Sequence, residues 1–185
     1  MRRFKVINYA VLLMLALMGI DAQAAEKLER AGFWWGMDVG AGYLQQSSDG
    51  FEENGTQFFL GFEGGYTLNE HFLLGLELSG WLLQASNLED PSVGEGISQV
   101  FLVSRYYPGI DSGFFIKGGG GYVSFWNNRP GEPGRLNGWG LTVGGGYDFS
   151  IDTRWALTPF VTYSRGSAGN EEYDVFTVGL GVTLQ

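Results

Sequence analysis

Along most of the chain, strand-length segments alternate large apolar residues with glycine, threonine, serine or a charged residue. In the segment FTVGLGVTL at positions 176–184, one phase holds only phenylalanine, valine and leucine, and the other holds only threonine and glycine. Successive side chains of a β-strand point to opposite faces, so such a segment has one apolar face and one small or polar face. The period of two therefore predicts β-strands.

Eight segments of this kind follow one another, and the connections between them alternate in length. An even number of strands joined alternately by short turns and long loops is typical of barrels in bacterial outer membranes. We predict strands over 33–44, 57–67, 72–83, 97–107, 114–125, 139–149, 155–164 and 173–184. The long polar connections are 45–56, 84–96, 126–138 and 165–172, and the short ones are 68–71, 108–113 and 150–154.

The apolar face of these segments carries aromatic residues at both ends, while the opposite face is rich in glycine and includes charged residues. A soluble barrel would enclose its large apolar side chains, but a barrel in a bilayer must turn them toward lipid. Aromatic residues at both ends match the two membrane interfaces. The sequence therefore predicts an all-β fold, an eight-stranded antiparallel transmembrane β-barrel with the order of an up-and-down meander.

The first residues of the chain have the composition of a targeting segment. Three basic residues precede an apolar run at 10–20, and the triplet Ala-Gln-Ala at 22–24 suits signal peptidase. The run is too short for a membrane anchor, which needs about 20 apolar residues. We predict a cleaved signal peptide over 1–24, a barrel domain over 25–185, and residence in the bacterial outer membrane as a multi-pass protein.

Composition narrows the possible partners and functions. The chain has 31 glycines, no cysteine and a net charge of −9; an acidic chain is a poor partner for nucleic acid. Without disulfides, an exported protein can obtain its rigidity from a closed backbone ladder. The abundance of glycine suits a narrow barrel wall.

Six charged residues fall in the inward phase of the predicted strands. Charges inside a narrow barrel must pair with each other or meet water. They could form an ion-pair plug that fills the lumen, or a gate on an ion or proton path; the narrow interior of an eight-stranded barrel favours the plug. The predicted lumen cluster comprises Asp38, Glu63, Glu77, Arg105, Lys117 and Asp148.

A second inward set lies toward the end that carries the long connections, and it is apolar. It could line a small pocket for a hydrophobic ligand, or it could fill the lumen against glycine and threonine on the facing strands. The members are Leu44, Phe59, Trp81, Leu83, Phe125 and Phe160.

Three segments carry a resemblance to a known family: FIKGGGGY at 115–122, GGGYDF at 144–149 and LTPFV at 157–161. They resemble strands of the small outer-membrane barrels of the OmpA-like, OmpX-like and OmpW-like group. The resemblance implies the eight-stranded fold and a role for the outer-membrane assembly machinery as a partner. Members of that group usually end in phenylalanine or tryptophan, whereas this sequence ends in Leu184-Gln185.

The sequence offers little for catalysis. Barrel enzymes of this size that modify lipid A use a histidine at the outer rim, but the single histidine, His71, lies in a short connection. There is no cysteine nucleophile, metal-ligand spacing or phosphate loop. We predict no enzyme activity, no cofactor and no bound metal.

The long connections carry nine acidic residues. We predict a monomeric structural or surface-interaction barrel with four extracellular loops, in contact with outer-membrane lipids and lipopolysaccharide and able to meet an extracellular protein. The alternative is a narrow channel or transporter for small or hydrophobic solutes, and a third class is a soluble periplasmic binding barrel. The acidic residues are Asp49, Glu52, Glu53, Glu89, Asp90, Glu95, Glu132, Glu171 and Glu172.

Overall fold

The computed structural model describes residues 29–48, 51–85, 94–127, 134–169 and 171–185, so the predicted signal peptide lies outside it. The described chain forms eight long strands and one strand of two residues. They are β1 (Phe33–Ser48), β2 (Phe51–Asn69), β3 (Phe72–Ala85), β4 (Gly94–Tyr106), β5 (Phe114–Asn127), β6 (Gly134–Tyr147), β7 (Phe149–Ser150), β8 (Trp155–Ala168) and β9 (Glu171–Leu184).

Each long strand pairs antiparallel with its neighbour in sequence, and β1 pairs with β9 to close the barrel. The short β7 pairs with β8 below the β6–β8 ladder, so it continues the line of β6 after an interruption at Asp148. The predicted eight-stranded antiparallel barrel with meander order is confirmed.

The register of the strands fixes the width of the barrel. A path of paired residues that starts at Trp35 on β1 and crosses every long strand returns to β1 at Gln45, ten residues further on. With about 3.3 Å per residue and about 4.8 Å between strands, this offset gives a tilt of about 41° and a backbone radius of about 8 Å. A cylinder of that radius holds side chains and little else.

Outward aromatic residues form two rings around the barrel. The register separates the mean heights of the two rings by about 21 Å along the axis, close to the ~25 Å apolar band of outer-membrane barrels. Exposed leucines such as Leu60, Leu76 and Leu102 lie between them. The lower ring comprises Phe33, Trp35, Tyr66, Phe72, Tyr106, Phe114, Phe149 and Trp155, and the upper ring comprises Tyr43, Phe58, Tyr122, Trp139, Tyr163 and Phe176.

The strands extend beyond their predicted bounds at the upper end. The predicted loop 45–56 is mostly strand, because β1 continues to Ser48 and β2 begins at Phe51. By the same register, the upper ends of the strands rise about 8–18 Å above the mean height of the upper aromatic ring. Above the lipid, backbone pairing continues without an apolar face, so the period-two signal disappears while the strand does not.

Two outward positions differ from the simple alternation. The predicted strand 139–149 is interrupted at Asp148, whose backbone N–H donates to Gly113 O at 2.9 Å. Next to this break Tyr147, which the alternation places outward, is only 9% exposed and packs against Phe149 with the rings tilted by 41° and their centroids 4.6 Å apart. Val161, which the period of two in the predicted strand 155–164 places on the outer face with Leu157 and Tyr163, is instead buried at 1% exposure between Gly145 and Val178 in the ladder.

Candidate functional site

The six charged residues of the predicted lumen cluster are all buried in the structure. Their exposed fractions lie between 0% and 4%, and five of them come from the five successive strands β1 to β5, while the sixth lies at the break between β6 and β7. They are Asp38, Glu63, Glu77, Arg105, Lys117 and Asp148.

Like charges stand directly opposite each other across two of the strand pairs. Glu63 on β2 pairs in register with Glu77 on β3, and Arg105 on β4 pairs with Lys117 on β5. Each pair alone would be destabilising. The two pairs neutralise each other inside the barrel: Lys117 Nζ donates to Glu77 Oε2 at 2.8 Å and lies 3.7 Å from Glu63 Oε2, and Arg105 Nη2 donates to Glu63 Oε1.

The carboxylate of Asp148 joins this quartet to the lower end of the lumen. It lies 3.8 Å from Arg105 Nη1. Its oxygens accept hydrogen bonds from Tyr107 Oη at 2.7 Å, from Thr158 Oγ1 at 2.7 Å and from Gln185 Nε2 at 2.9 Å. None of these three donors was predicted from the sequence: Thr158 lies in the inward phase of β8, and Tyr107 and Gln185 continue the inward phase one residue beyond the ends of β4 and β9.

The carboxylate of Glu77 joins the quartet to the upper half of the lumen. Its Oε1 accepts hydrogen bonds from Ser79 Oγ at 2.6 Å and from Gln99 Nε2 at 3.2 Å. Gln99 Oε1 in turn accepts a hydrogen bond from Tyr173 Oη at 3.3 Å. A polar chain therefore runs from the charged layer into the aromatic layer above it, and it was also missed in the sequence.

Asp38 is the least satisfied member of the cluster. Its Oδ1 is buried and has no hydrogen-bond partner among the described residues. The same holds for Glu63 Oε2, Arg105 Nε and Nη1, and Trp34 Nε1. With four carboxylates and two cations, the lumen contains an excess of acid and several unmatched donors, which is an environment suited to internal water.

The upper half of the lumen is packed with apolar side chains. Phe59 contacts both Trp81 and Phe160, with ring centroids 5.5 Å and 5.8 Å apart. Five residues of the predicted apolar set belong to one buried cluster, and the side chain of the sixth, Leu83, lies outside the described part. The five are Leu44, Phe59, Trp81, Phe125 and Phe160, and the cluster also includes Ile97, Phe101, Val103, Val123, Ala168, Tyr173 and Val175.

Glycines on the facing strands make room for the largest rings. A Cβ on Gly42 would lie 2.6 Å from Trp81 Nε1, and a Cβ on Gly179 would lie 2.4 Å from Phe160 Cζ. These contacts are too close for any side chain, so glycine is required at both positions. Glycine at these two positions thus makes room for the aromatic filling of the lumen.

A second apolar layer closes the lower end of the lumen. Trp34, Leu73, Tyr107 and Phe115 form a buried cluster there. The guanidinium of Arg105 lies over two of these rings, 4.9 Å from Trp34 and 4.6 Å from Phe115, which stabilises a buried cation. The charged layer is therefore enclosed between apolar layers above and below.

The single histidine has a structural position. His71 Nδ1 donates to the backbone oxygen of Tyr107 at 2.7 Å, and the backbone oxygen of His71 accepts from Tyr107 N at 2.9 Å. These bonds join the β2–β3 turn to the end of β4. Within the described ranges, no group of three or more histidine, cysteine or acidic side chains is arranged to hold a metal.

Residues 10–185 match the family described as outer membrane protein beta-barrel domain. The chain belongs to this family. The match covers nearly the whole sequence and agrees with the closed barrel, its apolar band and its two aromatic rings. Residence in the bacterial outer membrane follows from family membership.

Solved structures of small barrels share the fold. Neisserial surface protein A (NspA) aligns with a TM-score of 0.58 at 17% identity, over 83% of this chain and 97% of its own. Ail, the attachment invasion locus protein of Yersinia pestis, aligns with a TM-score of 0.51 at 13% identity, over 83% of this chain and 99% of its own. Ail has also been solved in complex with the heparin analogue sucrose octasulfate.

No curated protein matches the chain in sequence. In the described part of the chain, no helix has the length and apolarity to cross a membrane.

Proposed function

We propose that this protein is a non-enzymatic, monomeric outer-membrane barrel whose lumen is closed and whose function is carried by the four upper hairpins, exposed outside the cell. In this proposal residues 1–24 are a cleaved signal peptide, the assembly machinery inserts the mature chain, and lipopolysaccharide surrounds its upper half. The observation that supports this proposal is the filled lumen, in which a buried charged layer lies between two buried apolar layers.

A transport role would need one of these layers to open. The ion pairs of the charged layer are enclosed, and breaking a buried pair leaves an uncompensated charge that costs about 3–5 kcal/mol. The aromatic layer in the upper half of the lumen fills the space through which an apolar solute would have to pass. Both features favour a structural or surface-interaction barrel over a channel.

The charge of the hairpins indicates the kind of partner. Residues 45–56, 84–96, 126–138 and 165–172 carry nine acidic residues against three arginines, Arg129, Arg135 and Arg165. Ail has been solved with a polyanionic heparin analogue; the excess of six acidic residues over the four connections of this chain disfavours a soluble polyanion of that kind on the hairpins above the membrane. The complementary partner for this chain is a basic protein surface.

Planar-bilayer conductance tests the closed lumen. We expect refolded mature protein, checked for folding by heat-modifiable gel mobility, to show no discrete conductance steps. The variant Lys117→Ala is recorded beside it. Steps in the folded wild-type protein that change with Lys117→Ala would overturn the proposal and make the charged layer a gate on an ion path.

Surface display needs a separate test. Single cysteines introduced at Asp49 and Glu89, in the first two long connections predicted from the sequence, should react with a membrane-impermeant maleimide on intact cells. A cysteine at Asp152, in the β7–β8 turn at the opposite end, should react only after the cells are lysed. The reverse labelling pattern would overturn the proposed orientation.

A further inference from the structure

An open groove of about 530 Å³ lies on the outer wall of the barrel, where β5, β6, β8 and β9 meet. Its floor includes Gly120, and its walls include Trp139, Leu141, Arg165 and Glu172. Trp139 and Leu141 are 73% and 70% exposed, so the groove opens away from the lumen. It exists because the outward glycine on β5 leaves a gap beside these larger side chains.

The groove crosses the boundary between lipid and water. From the strand register, Gly120 lies about 5 Å below the mean height of the upper aromatic ring, Arg165 lies near that height, and Glu172 lies about 9 Å above it. The floor of the groove is thus at the depth of acyl chains, and its upper end is at the depth of lipid headgroups.

The upper end holds a cation in a defined position. Arg165 Nη2 donates to Glu172 Oε2 at 3.4 Å, and Arg165 Nε lies 3.8 Å from Asp174 Oδ1. Asp174 is itself held by a hydrogen bond from Tyr163 Oη. Of the outward residues that the structure describes between the two aromatic rings or level with them, Arg165 is the only cation.

These ion pairs leave the guanidinium available to a ligand. The side chains of Arg165 and Glu172 are 62% and 63% exposed, and exposed pairs of this kind contribute little. A guanidinium has five N–H donors and binds phosphate in a bidentate manner. A phosphate at headgroup depth can therefore exchange with Glu172.

We propose that this groove binds one molecule of lipopolysaccharide, with an acyl chain over Gly120 and Leu141, the side chain of Trp139 at the interface, and a lipid A phosphate on Arg165. The occupant is a phosphorylated glycolipid because the upper end of the barrel faces the outer leaflet in the proposed orientation, on which this inference rests. When the phosphate replaces Glu172, Asp174, which accepts a hydrogen bond from Tyr163, keeps the guanidinium over the groove.

Native mass spectrometry of the full mature barrel in phosphatidylcholine nanodiscs doped with lipid A tests this site. We expect the wild-type protein to retain one lipid A, and Arg165→Gln to weaken its binding about tenfold. The matched control is Arg135→Gln, since Arg135 is also an exposed arginine of this wall but lies above the groove. Equal binding by Arg165→Gln and the wild type would overturn the proposal.

A second pair of variants tests the floor. Gly120→Val should reduce lipid A retention, because a Cβ there points into the groove and meets Leu141 Cδ2 at 2.7 Å. Gly118→Val is the control, since Gly118 is outward on the same strand and a Cβ there has no neighbour closer than 4.0 Å. If Gly120→Val does not fold, Gly120→Ala replaces it.

A lipid comparison tests the identity of the occupant. Equal retention of phosphatidylglycerol and lipid A would indicate a general anion surface and overturn the assignment to lipopolysaccharide.

The nanodisc experiment measures lipid binding and not conductance, so its failure is distinguishable from a failure of the proposed closed lumen. A conducting barrel could retain lipid A, and a silent one could fail to do so.

Discussion

Glu63 and Glu77 stand directly opposite each other on β2 and β3, with both carboxylates buried in the lumen. Such a pair is stable only because Lys117 lies within 4 Å of both side chains and Arg105 donates to Glu63. The charged layer is consequently one unit, in which each cation serves more than one acid. Removing any single member of the charged layer should therefore strongly destabilise the barrel.

Lys117→Met should destabilise the barrel by about 3–5 kcal/mol, because Glu77 would lose its buried cation partner. The double variant Lys117→Met/Glu77→Gln should recover a large part of this loss, since it removes the charge left unpaired. Urea unfolding in phosphatidylcholine vesicles measures both. Arg154→Met, at an exposed turn position, is the control and should change little. A double variant as unstable as the single one would show that the two charges are not coupled.

Leu76→Arg should cost about 2–4 kcal/mol, because the register places Leu76 near the middle of the apolar band. Leu68→Arg should cost only about 0–1 kcal/mol, because Leu68 lies below the lower aromatic ring. The two leucines are 56% and 60% exposed, so accessibility alone predicts the same cost for both. Reversible unfolding of each variant from bilayers supplies the comparison, and equal costs would contradict the assigned membrane position.

The sequence was sufficient to place the inward charges but not to pair them. A period of two assigns Glu63 and Arg105 to the inner face of their strands whatever the register. Their contact depends on the ten-residue offset around the barrel, which brings residues of different strands to the same height. That offset is a property of closure and leaves no mark in the alternation of any single strand.

The alternation of apolar and polar residues also could not predict where the strands end above the membrane. Within the bilayer an outward polar residue is costly, so the alternation is strict and the strand is readable. Above the bilayer both faces meet water, and pairs such as Ser47–Glu52 extend the ladder with polar residues. The break at Asp148 was missed because its carboxylate falls in the expected inward phase, while the change lies in the backbone.

Gly179→Val should be strongly destabilising, because its Cβ would overlap Phe160 Cζ at 2.4 Å and Val39 O at 2.5 Å. Overpacking of this kind typically costs about 1–3 kcal/mol, and here a backbone atom blocks relaxation. Gly118→Val, on the outer face, should be close to neutral because its Cβ meets open space. The comparison uses unfolding in the same vesicles. A Gly179→Val barrel of wild-type stability would mean that the aromatic layer is loosely packed.

The β7–β8 turn makes a pH-dependent contribution to the stability of the folded barrel, and a charge-neutral variant of Asp152 can isolate it. Asp152 Oδ1 accepts hydrogen bonds from the backbone N–H groups of Arg154 and Trp155 at 2.7 Å and 2.8 Å, and these bonds hold the pKa of the Asp152 carboxyl below its ordinary value of 3.8. A carboxylate whose pKa is lower in the folded state stabilises that state above the unfolded pKa, and the contribution disappears as pH falls through the folded value.

Asp152→Asn keeps an oxygen acceptor for both N–H groups but removes the charge. The wild type should therefore be more stable than Asp152→Asn at pH 5–7, and the difference should shrink below about pH 4 as the carboxyl of the unfolded chain, and then that of the folded chain, binds its proton. Urea midpoints of the two proteins, measured side by side from pH 2 to pH 7, give this difference directly, because all other titrating groups are shared. A difference that stays constant with pH would show that the turn depends on the hydrogen bonds alone and not on the carboxylate charge.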